Sequence, residues 1–498
     1  MKTLIDYKNI SKKTLQETFA DIKFKTSPMH HQLVSLAFAL DMNRKRVVFV
    51  HDIGTGKTLV ALYTAMLWGC KKILVVCPNS TLKKTWAPQV IEHTDFSHAV
   101  LTGSTVERLE ILKKKKDIYI VNYEGLMYLY STKVNKKGKK THKVDRKKMI
   151  HDFDCIIIDE VHKLKSHNSL RTKILRRLSE KTEFIIGLTG TPIGKKELDL
   201  WAEYWVIDLG NLLGNSFIMF RNIYFKPTWY DWKIKDDVTK EKLLQRVSPI
   251  TLRYDREECF DLPPRLPYQV RSISPTDEQC FLMNGIIEGK ELEYRNNLIP
   301  PYDALQKGMR LAQITGGFVT TFDKDSGEKN VLRFKSNPKL DLLLECLEEI
   351  NDKVIIIHRF VEEGRIIEEG LRKEKYTFRS LRGEIKDKDQ EYFDFINKSE
   401  IKCLIANQQC GGEGLDKLIC SSTMIFYSNE RSALLRKQTE GRIDRKFQTK
   451  RCLFIDLTLE DSIDEVIANN LKKGKDTIDE ELRYIREFKY YREATVSD

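Results

Sequence analysis

The sequence predicts an α/β protein of two lobes, each built on a parallel β-sheet, with helical insertions between them. Two observations carry that prediction. Short, nearly continuous apolar runs recur along the chain, each followed by a small or polar loop and then a helix-like stretch. Strands buried on both faces of a helix-covered parallel sheet read this way. The runs also fall into two clusters, roughly 150 residues apart and separated by sequence of a different texture.

The first cluster comprises RVVFV (46–50), KILVVC (72–77), DIYIVN (117–122), CIIIDE (155–160) and FIIGLTG (184–190). The second comprises KVIIIH (353–358), CLIAN (403–407), TMIFY (423–427) and CLFIDL (452–457). Ahead of it, NPKLDLLLECLEEI reads as a helix capped by Asn337 with Pro338 at its first position. The expected organisation is an extension at 1–26, a first lobe at 27–194, helical insertions and a linker at 195–335, a second lobe at 336–470 and a helical tail at 471–498.

Of the 498 residues, 41% are apolar and 32% charged, enough to give each lobe a core under a charged surface. Lys and Arg number 85 against 72 Asp and Glu, and the net charge of +13 suits a polyanionic partner. Charge alone does not establish one, since many basic proteins bind no nucleic acid. The ten cysteines form no C-x-x-C pair, so the ligand spacing of zinc modules is missing and reduced thiols are expected. The N-terminus has no apolar core of signal-peptide length and no run approaches a membrane span, so a soluble, cytoplasmic protein is expected.

The run RVVFV leads into HDIGTGKT (51–58) and the apolar stretch LVALYTAML, the strand–loop–helix setting of a phosphate loop. Gly54, Thr55 and Gly56 would turn backbone N–H groups toward phosphates, Lys57 would reach the β and γ phosphates, and the Thr58 hydroxyl would ligate Mg²⁺. His51 stands where the usual pattern has its first glycine. About a hundred residues on, CIIIDEVH ends a strand in two acids. Asp159 is placed to hold Mg²⁺ and Glu160 to polarise an attacking water. An acidic pair after a strand is commonly just a solvated loop; its pairing with a phosphate loop favours function. In QTEGRIDRKFQ (438–448), read as a helix, Arg442 and Arg445 would share a face and meet the charge of a transferring phosphoryl group. A solvated basic face is the plainer reading of that segment taken alone.

With these motifs in this order, the chain resembles superfamily 2 helicases, and among them the SNF2-like (Swi2/Snf2) group, from about residue 27 to 470. The resemblance implies two RecA-like lobes, ATP and Mg²⁺ as cofactors, and DNA as partner. It places Gln32 of PMHHQ as the residue that reads adenine. ILVVCPNSTLKKTWAPQV, with Trp86, is similar to motif Ia, and IVNYE (120–124) to the block that follows. DEVHKLKSHNS matches the extended acidic block. LTGTPIGKKELDLWAEYWVID resembles motif III, where Thr189, Gly190 and Thr191 would couple nucleotide state to lobe movement; Gly194 stands where a glutamine is usual. SPITLRYDREECFDLPPR resembles the group's Leu-Pro-Pro block, the most diagnostic of these motifs. QQCGGEGLDK is similar to motif V, in which Gly412 and Gly414 would approach DNA or nucleotide, and Gln438 leads motif VI.

The family grips DNA mainly through backbone phosphates, which makes contacts independent of sequence. The resemblance suggests Lys83, Lys84, Thr102 and Lys165 in the first lobe, and Arg359, Arg382 and Gln408 in the second. Nine of the residues from 131 to 149 are basic, Lys137, Lys139 and Lys140 among them, and Gly138 makes a mobile hairpin plausible. That insert is read either as a DNA-gripping or strand-separating element or as a merely solvated loop. KPTWYDWKIK (226–235) could stack on bases, though packing is the commoner use of Trp229 and Trp232.

The expected function is therefore an ATP-dependent DNA helicase or translocase. A DNA-binding protein with a dead nucleotide site would have lost Lys57, Glu160 or an arginine, and all are present. An RNA helicase of the DEAD-box type fits poorly, since the acidic block reads DEVH and motif III reads TGT. A chromatin remodeller fits poorly too, because two lobes use up the chain. The compactness looks like the small helicases of bacteriophages and large DNA viruses, which act on forked and branched DNA in replication, recombination or repair, with a bacterial host's cytoplasm as the setting.

Overall fold

The computed structural model describes residues 7–41, 44–52, 54–134, 140–144, 153–190, 197–228, 232–260, 263, 265–381, 388–408, 418–445 and 447–487; for residues 84, 127–134, 140–144, 388 and 479 it describes the backbone only. The chain divides into two compact units, Met1–Asp261 and Leu262–Asp498.

In the first unit the strands are β1 (Arg46–His51), β2 (Ile73–Cys77), β3 (His98–Val100), β4 (Ile118–Asn122), β5 (Tyr130–Val134), β6 (Lys140–Val144), β7 (Cys155–Asp159), β8 (Phe184–Thr189), β9 (Phe225–Pro227), β10 (Trp232–Ile234) and β11 (Thr251–Tyr254). Seven of them form one sheet in the order β11-β1-β8-β7-β2-β4-β3, and every neighbouring pair runs parallel. Both faces are buried, which is why the strands read as unbroken apolar runs. Val47, Phe49, Ile73, Val75 and Ile157 point to one core with the helices His30–Leu40 and Lys57–Leu67. Val48, Val50, Leu74, Val76, Ile156 and Ile158 point to the other, with the helices Leu170–Ser179 and Leu200–Ile207. Each such side chain is worth about 1.5–3 kcal/mol of burial, so the strands form because both faces are covered.

In the second unit the strands are β12 (Gln269–Ile273), β13 (Leu292–Tyr294), β14 (Asn297–Ile299), β15 (Phe318–Asp323), β16 (Lys329–Arg333), β17 (Val354–His358), β18 (Phe378–Leu381), β19 (Cys403–Asn407), β20 (Thr423–Phe426) and β21 (Leu453–Leu459). A six-stranded parallel sheet has the order β12-β21-β20-β17-β19-β18 and is again sandwiched between two cores. The helix Pro338–Glu349 begins as expected, with Asn337 Oδ1 accepting from the Leu340 N–H at 3.3 Å.

The stretch 195–335 is more mixed than its texture suggests. Beside helices it holds the hairpin β9–β10, the sheet-edge strands β11 and β12, and an antiparallel sheet β13-β14-β15-β16. That sheet packs with the helices Asp277–Glu288, Ala304–Thr315 and Ile463–Lys472 in a third core. In the basic insert, β5 and β6 pair as an antiparallel hairpin, and Lys137 and Lys139 lie outside the described residues. Trp232 packs under the guanidinium of Arg221, 4.0 Å from its ring centre; Trp229 is outside the described residues. No helix among the described residues is long and apolar enough to cross a membrane.

Candidate nucleotide site

The phosphate loop leaves β1 at His51 and enters the helix Lys57–Leu67. Gly54 (φ 82°) and Gly56 (φ 81°) both take the left-handed conformation that glycine adopts without steric cost. At Gly56 a side chain has no room: a Cβ there would lie 2.3 Å from Nε2 of Gln32. Gln32 is buried and fully engaged. Its Nε2 donates to the Thr55 carbonyl at 3.1 Å, and its Oε1 accepts from the Met29 N–H at 2.8 Å. The His31 ring reaches the same Thr55 carbonyl at 2.9 Å. The Thr55 hydroxyl, also buried, donates to the Asp52 carbonyl at 2.7 Å. Lys57 Nζ donates to the carbonyls of His51 (2.9 Å) and Asp52 (3.3 Å), across the loop it is expected to serve. Thr58 follows in the helix, partly exposed.

His51 is tolerated in place of the first glycine because its backbone is not left-handed. Its ring is wholly buried against Tyr254 and Phe49, and burial, with Lys57 nearby, holds its pKa well below the usual value, so it is neutral. Beside the loop, the N-terminal segment and the start of helix His30–Leu40 enclose a cavity of about 460 Å³. Phe19, Phe24, Met29, His30 and Lys12 contribute to its lining, and His30 Nδ1 is buried with no hydrogen-bond partner among the described residues.

The two acids end β7, two strands from β1 in the sheet order. Asp159 Oδ2 accepts 2.9 Å from the indole N–H of Trp86, and the Tyr123 hydroxyl donates to the Asp159 carbonyl at 2.6 Å. Glu160 adopts φ 55°, a left-handed conformation costing a non-glycine residue about 1–2 kcal/mol, which turns its carboxylate out of line with the strand. That carboxylate lies 3.1 Å from Nδ1 of His162, and the same nitrogen is 3.2 Å from the Thr189 hydroxyl at the end of β8. Burial and the adjacent Glu160 raise the Asp159 pKa, with the Trp86 N–H and Lys57 pulling against them. Burial also works against ionised Glu160, but the His162 hydrogen bond and charge, Lys57 and the Gly190 N–H outweigh it and hold Glu160 below the usual carboxylate range. With the glycine-lined loop, the lysine spanning it and this oxygen-rich pair, the residues present fit a nucleotide triphosphate with Mg²⁺. Thr191 lies outside the described residues.

The expected DNA contacts divide sharply. Lys83 and Lys165 are exposed and Thr102 is partly exposed, all in the first unit, while for Lys84 only the backbone is described. Two of the second-unit candidates both meet Glu430. Arg359 is turned inward, its side chain 10% exposed and its Nε 3.4 Å from Glu430. Gln408 is wholly buried, its Oε1 accepting from the Glu430 N–H at 2.6 Å. Arg359 Nη1 and Gln408 Nε2 have no hydrogen-bond partner among the described residues. Arg382, Gly412 and Gly414 lie outside the described residues, and Lys140 starts β6 with only its backbone described.

The helix of motif VI also ends sooner than expected. It spans Ala433–Glu440 and is capped at Gly441, so Gln438 is helical while Arg442 and Arg445 sit in the turns beyond, and a shared helix face no longer links them. Charged groups crowd around that turn. Arg265, next to the Leu-Pro-Pro block, donates to Asp444 (2.5 Å), to Glu440 (3.1 Å) and to the Tyr268 hydroxyl (2.8 Å). Buried Arg436 bonds Glu440 from the other side at 2.7 Å and pairs with Asp456. Sequence reasoning missed Arg265, His162 and the donor roles of Trp86 and Tyr123. All four lie in or beside recognised blocks, and what the blocks could not show was the partner.

A family model described as the SNF2-related domain matches residues 30–282, just over half of the chain. The DNA repair and recombination protein RDH54 of Saccharomyces cerevisiae is 24% identical, over 87% of this chain and 49% of that protein. The uncharacterized ATP-dependent helicase MG018 of Mycoplasma genitalium is 24% identical, over 86% of this chain and 40% of that one. A putative protein p41 from Acyrthosiphon pisum secondary endosymbiont phage 1 is 25% identical, over 60% of this chain and 65% of its own length. The chain spans about half the length of the curated relatives it matches. With its motifs in family order on two parallel-sheet units, the chain belongs to the SNF2-related domain family.

Proposed function

We propose that the protein is an ATP-driven motor on DNA, a helicase or translocase that unwinds or remodels forked or branched DNA in replication, recombination or repair. The observation that carries this reading is the joining, at the ends of β1, β7 and β8, of a glycine-cradled lysine loop with an acid pair held by Trp86, Tyr123 and His162. The enzyme is an ATP hydrolase. Gly54, Thr55, Gly56 and Lys57 bind the phosphates, and Thr58 and Asp159 hold Mg²⁺, which supplies charge neutralisation there. Glu160, oriented by His162, polarises the attacking water. Arg442 and Arg445 meet the charge of the transferring phosphoryl group, and Thr189, Gly190, Thr191 and Gln438 relay the nucleotide state to movement. Gln32, which also braces the loop, reads adenine beside the adjoining cavity that Phe19 and Phe24 help to line.

DNA is held through its phosphates by a set that includes Lys83, Thr102 and Lys165, in keeping with the net charge of +13. The names of the yeast and mycoplasma relatives support action on DNA and use of ATP, and the source of the phage relative supports a phage-type protein. The test is the ATPase rate with no nucleic acid, single-stranded, duplex and branched DNA, and RNA, beside Glu160→Gln, joined to a fork-unwinding assay. Stimulation by duplex or branched DNA with at least a hundredfold loss in Glu160→Gln is expected, on the order of what general-base removal costs. DNA stimulation without unwinding would narrow the activity to translocation. Stimulation by RNA alone would overturn the assignment.

A further inference from the structure

Trp86 is wholly buried, and its indole N–H ends 2.9 Å from Asp159, 73 residues further along the chain. A buried tryptophan generally finds an acceptor for this proton, and any carbonyl would satisfy it. The acceptor here is the carboxylate assigned to Mg²⁺. Local geometry aims the ring. Leu82–Trp86 is a π-helical turn, with the Trp86 N–H bonding the Thr81 carbonyl five residues back at 2.9 Å and the Ala87 N–H bonding that of Leu82. A π-turn holds one residue more than an α-turn, and each helical residue rotates the side-chain direction by about 100°. The extra residue therefore sets where Trp86 points as the helix Ala87–His93 begins. On the outer side of the same turn Lys83 is exposed. From elsewhere in the unit, Tyr123 pins the backbone of the acid pair, 2.6 Å from the Asp159 carbonyl and 3.2 Å from that of Glu160.

We propose that Trp86 is a positioning residue for the Asp159 carboxylate, and that the π-turn Leu82–Trp86 transmits nucleic-acid contact at Lys83 to it. The second half of this rests on the DNA-motor reading above. Outer-shell donors to a metal-binding carboxylate fix its orientation, and their removal commonly costs tenfold to a hundredfold in metal affinity or activity. A ligand contact on one face of the turn and a metal on the other would then affect each other reciprocally.

Trp86→Phe keeps an aromatic ring in the core and deletes only the donor and part of the bulk. In this variant the Mg²⁺ concentration that half-saturates binding of a fluorescent ATP analogue rises about tenfold or more, while binding of the analogue in chelator is unchanged. In the wild type, saturating duplex DNA lowers that Mg²⁺ midpoint, and in Trp86→Phe it does not. Because the substitution could loosen the core, the native side chain is read as well. Wild-type protein labelled with fluorotryptophan gives one ¹⁹F signal for each of six tryptophans. The signal absent from Trp86→Phe shifts when Mg²⁺ and the analogue bind, and shifts again when DNA is added. An unaltered Mg²⁺ midpoint in Trp86→Phe overturns the positioning role. A Trp86 signal indifferent to DNA, in a protein whose ATPase DNA does stimulate, overturns the transmission. Absence of any DNA stimulation in the wild type counts against the motor reading instead and leaves the Mg²⁺ result to decide Trp86.

Discussion

Replacing Gly56 with alanine separates two kinds of strain in the phosphate loop. At φ 81° an alanine pays about 1–2 kcal/mol for the left-handed backbone. Its Cβ would also lie 2.3 Å from Gln32 Nε2, so Gln32 must move and give up its 3.1 Å bond to the Thr55 carbonyl. A neutral hydrogen bond contributes about 1 kcal/mol net, and the cost stays near that because His31 still serves the same carbonyl. Together these come to about 2–3 kcal/mol against the native loop, or roughly 30- to 150-fold in affinity for a nucleotide that requires it. The assay is binding of a fluorescent ATP analogue to wild type, Gly56→Ala, Gln32→Ala and the double variant. With Gln32 already truncated, Gly56→Ala should cost only the backbone share, leaving a coupling of about 1 kcal/mol. If Gly56→Ala costs the same in both backgrounds, Gln32 does not press on the loop and the steric reasoning is wrong.

Glu203, on the helix Leu200–Ile207, is wholly buried with one carboxylate oxygen lacking a hydrogen-bond partner among the described residues. Burial first, then Asp199, push its pKa up to about 7, against His162 and Lys165. The folded protein therefore holds this proton more tightly than the unfolded chain, and stability falls as pH rises from about 4.5 to about 7, by about 3 kcal/mol in all. Glu203→Gln should raise the melting temperature progressively more from pH 5 to pH 8; an equal effect at both ends would refute the assignment. Arg265→Leu leaves Asp444, 7% exposed, without this cation, and should lower the melting temperature of the second unit by about 5 °C or more. Arg265→Lys should recover little, because a single ammonium lacks the fork that bonds Asp444, Glu440 and Tyr268 at once. Full recovery by lysine would show that charge alone matters there.

Strands buried on both faces were legible, because a parallel strand covered twice must be apolar at every position: β1, β2, β4, β7, β8, β17, β19, β20 and β21 all stand out as runs. Strands that close a sheet at its edge were not. Residues of β11 alternate in burial and β12 is mostly exposed, so neither carries a continuous signal, and the antiparallel strands β13 to β16 are too short or too polar to announce themselves. The site shows the same divide. Gly54, Gly56 and Lys57 act through local backbone geometry, which sequence spacing encodes. The bond from Trp86 to Asp159 depends on how distant segments pack. The contacts of Arg359 and Gln408 with Glu430 likewise join segments that local reading could not place side by side. The helix ends at Glu440 ahead of its Gly441 cap, and the bond from Arg265 to Glu440, 175 residues apart, was equally out of local reach.

The order of the two sheets bears on how the chain is made. β11 pairs with β1 across about two hundred residues of sequence, and β12 pairs with β21 across nearly as many. As the polypeptide emerges from the ribosome, the flank of β1 that β11 will cover stays open until residue 254 has been synthesised. β12, the first strand of its sheet to appear, has no neighbour in that sheet until residues 453–459 arrive. Such long-range closures are slow steps and expose unpaired backbone while they wait. A truncation between residues 235 and 250 is thus expected to aggregate even though it retains the phosphate loop and both acids, and the shortest soluble fragment with a complete first sheet should end after Tyr254.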